Sequence, residues 1–372
     1  MTTASTPLGY LQQPPLVDFD SVRGNLPPIV YRRSFAFAYG LTFATLALYA
    51  GLAFLSYTAN SFAWLLIWSI ARGLSIGPVF IVAHDACHDS LSPSSRLNYW
   101  LGQLCFLPSW HTFTGWKVRH NHVHHRHTNI LELDTGYPPA SRDQYAVWPW
   151  WRRLGYRLAR TPAGAGLLYL PEAIKAQVFP SRTLRRQFQK VDARHPTEWT
   201  LVWLWIAAEV ALFSGLLAQL GVVEASPNQG WSLFAIGFVL THWVWNWQMG
   251  ITTFLHHFHP EVGWHTSEQA PAAAQRQLRS TVHVDLGRMH PAMLNIFVHT
   301  AHHIDTRIPL YRLPLAQTAL EKQFASDISR WTFSLQAALR CFRECQLWNP
   351  TSRRWERFQP SMNQKPTTVE KP

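Results

Sequence analysis

Residues 62–83 read FAWLLIWSIARGLSIGPVFIVA, and the next five are His84-Asp85-Ala86-Cys87-His88. An apolar run of that length, with Arg72 as its one charge, crosses a bilayer core of about 30 Å as a helix. It ends by delivering two histidines, four residues apart and so on one helix face, to the membrane surface. The stretch 34–56 before it is similarly apolar, and the connector Tyr57–Ser61 carries no charge. Farther on, 198–220 and 231–255 form a second apolar pair, whose connector holds Glu224 and no Lys or Arg. The pattern predicts an all-α membrane protein: four transmembrane helices as two hairpins, capped by cytosolic helices. Arg72 falls mid-span, where a charge is costly. It is either a paired or functional group or a sign that the span is offset by several residues.

Lys and Arg placement sets the orientation. Both hairpin tips lack them, whereas the flanks carry Arg32, Arg33, Arg119, Arg126, Arg185, Arg186, Arg307 and Arg312. By the positive-inside rule, both termini and both long polar segments lie on the cytosolic side. The domain reading follows. Residues 1–33, with Pro14, Pro15, Pro27 and Pro28, form an irregular cytosolic arm; 34–320 form the membrane domain; 321–372 form a cytosolic C-terminal segment. The apolar, aromatic piece Leu101–Trp116 is too interrupted to span and suits the interface. No cleavable signal precedes the first span, which is expected to direct insertion itself.

Composition agrees with this. Charged residues are 15% of the chain and hydrophobic ones 47%, a balance that leaves little for a solvated surface. The 19 tryptophans suit the two interfaces of a bilayer. A net charge of +12 favours anionic headgroups and an acidic protein partner, and no nucleic-acid motif is present. Cys87, Cys105, Cys341 and Cys345 form no CxxC pattern and read as reduced, packed thiols on a cytosolic face.

Histidine carries the chemistry. After His84 and His88 comes His120-Asn121-His122-Val123-His124-His125, then His299-Thr300-Ala301-His302-His303, with His256-His257-Phe258-His259 just after the last span. In an α-helix His120 and His124 share a face, and His125 lies about 100° round, toward a second metal. The topology, argued from Lys and Arg alone, brings every cluster to one face. So many imidazoles exceed one ion's needs and imply two metals, although imidazole alone does not name the metal. HExxH is absent, so a zinc protease would lack its general base. Asp85, Asp89, Asp134 and Asp305 stand close enough to receive a second imidazole N–H and fix its tautomer; capping or solvated roles are the alternative. His195, His265 and His290 stand alone and read as surface residues. His111, His122, His127 and His259 flank the clusters, where they either support the ligand rings from behind or play no part. His242 and Asn246 lie about 20 Å from His257 along a helix, too deep for the same centre, and suit an interhelical polar contact. His283 stays open as ligand, ligand support or neither.

These clusters resemble the boxes of the membrane fatty acid desaturase family, HxxxH, HxxHH or HxxxHH, and HxxHH, over about residues 34–320. Trp116 to Asn129 is similar to the second box of acyl-lipid desaturases. Ala301-His302-His303-Ile304-Asp305-Thr306-Arg307-Ile308-Pro309-Leu310-Tyr311 is similar to the third box and its tail in bacterial omega-6 (delta-12) types. Leu255-His256-His257-Phe258-His259-Pro260 resembles a Leu-Gln-His-Thr-His-Pro stretch of that branch, which favours His257 over His256.

The resemblance implies a non-haem di-iron centre in the cytosolic cap that uses O2 to place a cis double bond in a fatty acyl chain. The chain would be carried by a lipid, CoA or acyl carrier protein. It implies as metal ligands His84, His88, His120, His124, His125, His257, His299, His302 and His303. It also implies a separate electron donor, a ferredoxin or cytochrome b5-type protein, since no haem-binding motif is present. The expected location is a multi-pass protein of the bacterial inner membrane. The second box departs from the pattern by one extra residue, which leaves His122 in competition with His120. Thr253 replaces the Asn that stearoyl-type enzymes place four residues before the extra histidine. A related di-iron hydroxylase or carotenoid ketolase is the alternative enzyme, and a metal-handling membrane protein the alternative outside catalysis. The position of the double bond is not encoded in any motif.

Overall fold

The computed structural model describes residues 18–173, 195–228 and 230–359. The basic pair Arg185–Arg186, Pro14, Pro15 and the side chain of His195 lie outside them. The chain is mostly helical. Helix α1 (Phe35–Tyr57) begins where Ser34 Oγ accepts the Phe37 N–H, and α2 (Phe62–Cys87) where Ser61 Oγ accepts the Trp64 N–H. Each N-cap fixes the helix start within a residue of the apolar boundary. Among the described residues, these are the two helices long and apolar enough to cross a membrane. They pack as an antiparallel hairpin with Phe43 and Phe54 of α1 and Trp64 and Ile67 of α2 turned outward. Such a belt of exposed large apolar side chains needs a non-aqueous neighbour.

Residues Ser95–Phe106 form α3 and Phe113–Lys117 form α4. The chain continues from α4 without a break into a π-wound segment, Val118–His124. Helix α5 (Gly166–Ala173) follows. The expected third span is shorter than its apolar run. Helix α6 covers His195–Phe213 and stops before Gly215, whose φ of 80° ends the winding. The fourth is a π-wound stretch, Leu233–Leu240, that runs into α7 (Thr241–His257).

A polar tie joins α1 and α2 to α6 and the π-wound stretch before α7. Arg72 of α2 is 1% exposed and pairs with Glu209 of α6. It also donates to Tyr49 of α1 at 2.7 Å and to the Gly237 carbonyl at 3.1 Å. Glu209 accepts from Tyr49 at 2.6 Å and lies 3.3 Å from His242 Nε2. Arg72 is therefore paired, and His242 makes the interhelical contact its position suggested. Helices α2 and α7 touch so closely at Gly73 that a Cβ there would lie 2.5 Å from the Thr241 carbonyl.

The cap beyond these helices is not purely helical, which corrects the all-α expectation. After α8 (Ala273–Arg279), strand β1 (Val282–Asp285) pairs in parallel with β2 (Ser329–Thr332), with Val282 opposite Ser329. Between them lie α9 (His299–Ile304) and α10 (Leu313–Phe324). Helix α11 (Leu335–Glu344) and the hairpin β3 (Leu347–Asn349) and β4 (Arg354–Glu356) follow. These strands have only three or four residues, too few for the period-2 alternation that announces a strand. The flanking segments pack onto the same core. Phe342 of α11 stacks on Phe254 of α7 at 4.1 Å, and Arg23 donates to the Ile304 carbonyl.

Candidate metal centre

Nine histidines gather where α2, the π-wound segment, α7 and α9 meet, and they divide into two groups. In the first, His84, His88, His120, His125 and His302 bring one ring nitrogen each within 4.8 Å of one another. In the second, His124, His257, His299 and His303 do the same. The groups adjoin, with the rings of His125 and His303 4.2 Å apart.

The division differs from the one α-helical geometry predicts. His120 goes with His125, and His124 goes to the other group. The cause is the winding of Val118–His124. In a π-helix the hydrogen bond runs from i to i+5, so residues five apart share a face. The extra residue in this box is thus absorbed in the helix. His122 is exposed and belongs to neither group. His256 stacks on His299 with centroids 3.8 Å apart and is likewise outside both groups, whereas His257 lies inside the second.

The nitrogens converge in a way that calls for a cation. Nε2 of His120 lies 2.7 Å from Nε2 of His84 and 3.0 Å from that of His125, which is 3.1 Å from Nε2 of His302. In the second group Nε2 of His299 and His257 are 3.0 Å apart. A neutral ring nitrogen carries either one proton or one lone pair. A chain of such contacts cannot be satisfied throughout by protons alone. Both ring nitrogens of His88 and Nε2 of His303 are buried without a partner. Burial first, and neighbouring imidazoles second, push His88, His120, His125, His299, His302 and His303 well below the usual histidine range. Neutral rings with inward lone pairs are the ligating form, so the donor set fits a pair of metal ions.

Three rings are oriented from behind. Asp134 accepts His124 Nδ1–H at 2.8 Å and is itself held by the N–H groups of Asn129 and Gly136. Burial works to raise the Asp134 carboxyl, but His124 beside it and these donors bring it below the usual value. Gln277 of α8 donates to the His125 carbonyl and accepts His303 Nδ1–H at 2.8 Å. The Ser280 carbonyl faces His257 Nδ1 at 3.4 Å. Gln277 and Ser280 lie in no motif that sequence reading can find.

The other carboxylates turn elsewhere. Asp89 pairs with Lys117 at 2.6 Å. Asp85 accepts the Leu310 N–H at 3.0 Å, and Asp305 binds Tyr31, Arg23 and Arg307. His283 is held by Glu321 at 2.5 Å, outside both groups. His265 and His290 are half-buried rather than on the surface, because His265 joins a bridge to Ile130 and His290 accepts the Leu286 N–H.

Both groups open on one cavity. Its wall carries His84 and His120 of the first group and His124, His257 and His299 of the second. It continues between Phe80, Ile81, Trp245, Met249, Ile296 and Phe297 toward Gly77 and Gln248. Gly77 stands seven residues before His84, so the apolar part runs about 10 Å back along α2.

Residues 62–334 match the family model described as fatty acid desaturase. The chain is 28% identical over 307 residues to an sn-1 oleoyl-lipid 12-desaturase of Synechocystis sp., covering 81% of this chain and 80% of that one. It is 27% identical to an sn-1 acyl-lipid omega-3 desaturase (ferredoxin) of the same organism, covering 81% and 79%. It is 25% identical to a chloroplastic omega-6 fatty acid desaturase of Glycine max, covering 77% and 62%.

Proposed function

The chain belongs to the fatty acid desaturase family and is a fatty acyl desaturase, an oxidoreductase; on that premise we propose a di-iron enzyme acting on the acyl chains of membrane lipids. One iron is held by His84, His88, His120, His125 and His302, and the other by His124, His257, His299 and His303. Bound there, the pair supplies the activation of O2 needed to remove two vicinal hydrogens. The observation that carries this reading is that two imidazole groups share the wall of one apolar cavity.

The residues of this chain do the rest. Phe80, Ile81, Met249, Ile296 and Phe297 line a channel that orders an acyl chain and keeps water from the reacting carbons. Asp134, Gln277 and Ser280 lock ring tautomers so that lone pairs face inward. The two apolar helices and the exposed aromatic belt support a multi-pass protein with two hairpins, its termini and metal centre on the cytosolic side of the inner membrane. The names of the relatives support a lipid-borne substrate and a separate ferredoxin-type donor, for which the basic surface of this chain is suited.

Expression in a host of defined lipid profile, followed by fatty-acid analysis, tests the reading. A new cis double bond is expected. Hydroxylated acyl chains or altered carotenoids with no new double bond would overturn it.

A further inference from the structure

A buried polar relay in the cavity wall belongs to neither metal group. Ser109 Oγ spends its proton on the Phe106 carbonyl at 3.0 Å, so it can only accept from His111, whose Nδ1 is 3.0 Å away. A neutral His111 protonated on Nδ1 has its lone pair on Nε2. That nitrogen meets the phenol of Tyr169, whose O–H therefore donates to it. His111 is fully buried and Tyr169 is 3% exposed, and Tyr169 lines the cavity. Trp116 closes the gap to the metals. Its ring lies 5.3 Å from that of His111 and stacks on His120 of the first group at 4.9 Å and 21°.

We propose that Trp116 and Tyr169, with His111 as proton acceptor, form an exit route for oxidising equivalents when the metal centre reacts with O2 and no acyl chain is in place. The inference rests on the iron reading above. An oxidant able to break an unactivated C–H bond can also attack the imidazoles that hold it. Indole and phenol are more easily oxidised than imidazole. A phenol gives up an electron readily when its proton has an acceptor in place, and His111 Nε2 is that acceptor.

The step balances. One electron leaves Tyr169 through Trp116 and reduces the O2-derived oxidant by one equivalent. The phenolic proton moves to His111 Nε2, leaving a neutral phenoxyl radical beside an imidazolium. A soluble one-electron reductant of the ascorbate or thiol class returns the electron, and the proton goes back to the phenolate oxygen. Tyr137, partly buried and 6.4 Å from Tyr169 ring to ring, extends the route toward solvent.

The test uses the full chain, iron-loaded and reduced with dithionite, then mixed with O2 without lipid and freeze-quenched. Electron paramagnetic resonance should show a tyrosyl signal that narrows when ring-deuterated tyrosine is incorporated. The signal should be lost in Tyr169→Phe. It should also be lost in His111→Gln, which keeps the phenol but removes its base. Mass spectrometry should find more oxidised histidine among the metal-facing peptides of both variants than in the parent protein. Iron-loaded protein that consumes O2 without a tyrosyl signal, or Tyr169→Phe that keeps it, overturns the inference alone. Protein that takes up no iron overturns it together with the iron reading.

Discussion

His120 and His125, five residues apart, hold their Nε2 atoms 3.0 Å from each other. An α-helix cannot do this, because five residues advance the winding well past one turn. The π-wound turn between Val118 and His124 makes them neighbours and sends His124 to the opposite side, where it meets His257 and His303. One local change of winding thus lets a single short stretch serve both groups. Such turns are rare and concentrate at functional sites because the backbone geometry is otherwise unfavourable.

Adding one residue to this turn should therefore act like removing a ligand. Insertion of an alanine after Asn121 sets His120 and His125 six residues apart, a spacing that neither α- nor π-winding places on one face. Bound iron, measured by elemental analysis of purified protein, should fall from one ion per group toward one per chain. His122→Ala, at an exposed position on the same turn, should keep the full iron content. Iron retained in the insertion variant, or lost in His122→Ala, would contradict the assignment.

Asp134 orients the second group through its hydrogen bond with His124. Asp134→Ala should free the ring to rotate and let the wrong nitrogen carry the proton. The expected loss in metal affinity is about 10- to 100-fold, read by competition with a chelator. Asp89→Ala, which removes only the partner of Lys117, should leave that affinity unchanged. Equal effects from the two substitutions would show that charge near the site matters and tautomer control does not.

Much of this centre was legible in the sequence because histidine clusters and apolar runs are short-range patterns. Lys and Arg placement led us to expect the clusters together, as the histidines are, and the resemblance of Leu255–Pro260 to a family stretch pointed to His257. What sequence could not supply was winding and long-range partnership. The spacing of His120, His124 and His125 was read at 3.6 residues per turn, which assigned His124 and His125 to the wrong partners. Gln277 supports His303 across 26 residues of chain, with no pattern to mark it. Glu209 sat unnoticed inside an apolar run, and only the fold shows it facing Arg72. Asp85, Asp89 and Asp305 were near the histidines in sequence but turn to backbone, Lys117 and Arg307 in space.

The Arg72–Glu209 pair predicts a mutational asymmetry. Glu209→Ala leaves a buried guanidinium without its counter-charge and should cost about 3–5 kcal/mol of stability. Adding Arg72→Leu to Glu209→Ala removes the stranded charge and should recover much of that loss. Thermal unfolding in detergent, run on both single variants and the double, measures the coupling. Additive effects would mean that the two side chains do not depend on each other.

Gly77 of α2 lines the cavity opposite Gln248 of α7. A Cβ built there would lie 2.6 Å from Oε1 of Gln248, so even alanine must push that amide aside. The amide is the far end of a flexible side chain and can move, so Gly77→Ala should fold and keep activity. Gly77→Leu should fill the space that the last carbons of the chain need. The metals, one span of about 10 Å away along α2, would then meet a different carbon pair. Each methylene excluded should shift chain-length preference by about 10-fold, read by gas chromatography of host lipids carrying acyl chains of different lengths. The double bond should move in step with the shortened cavity. An unchanged product pattern in Gly77→Leu, with iron content intact, would show that the acyl chain does not reach this end of the cavity.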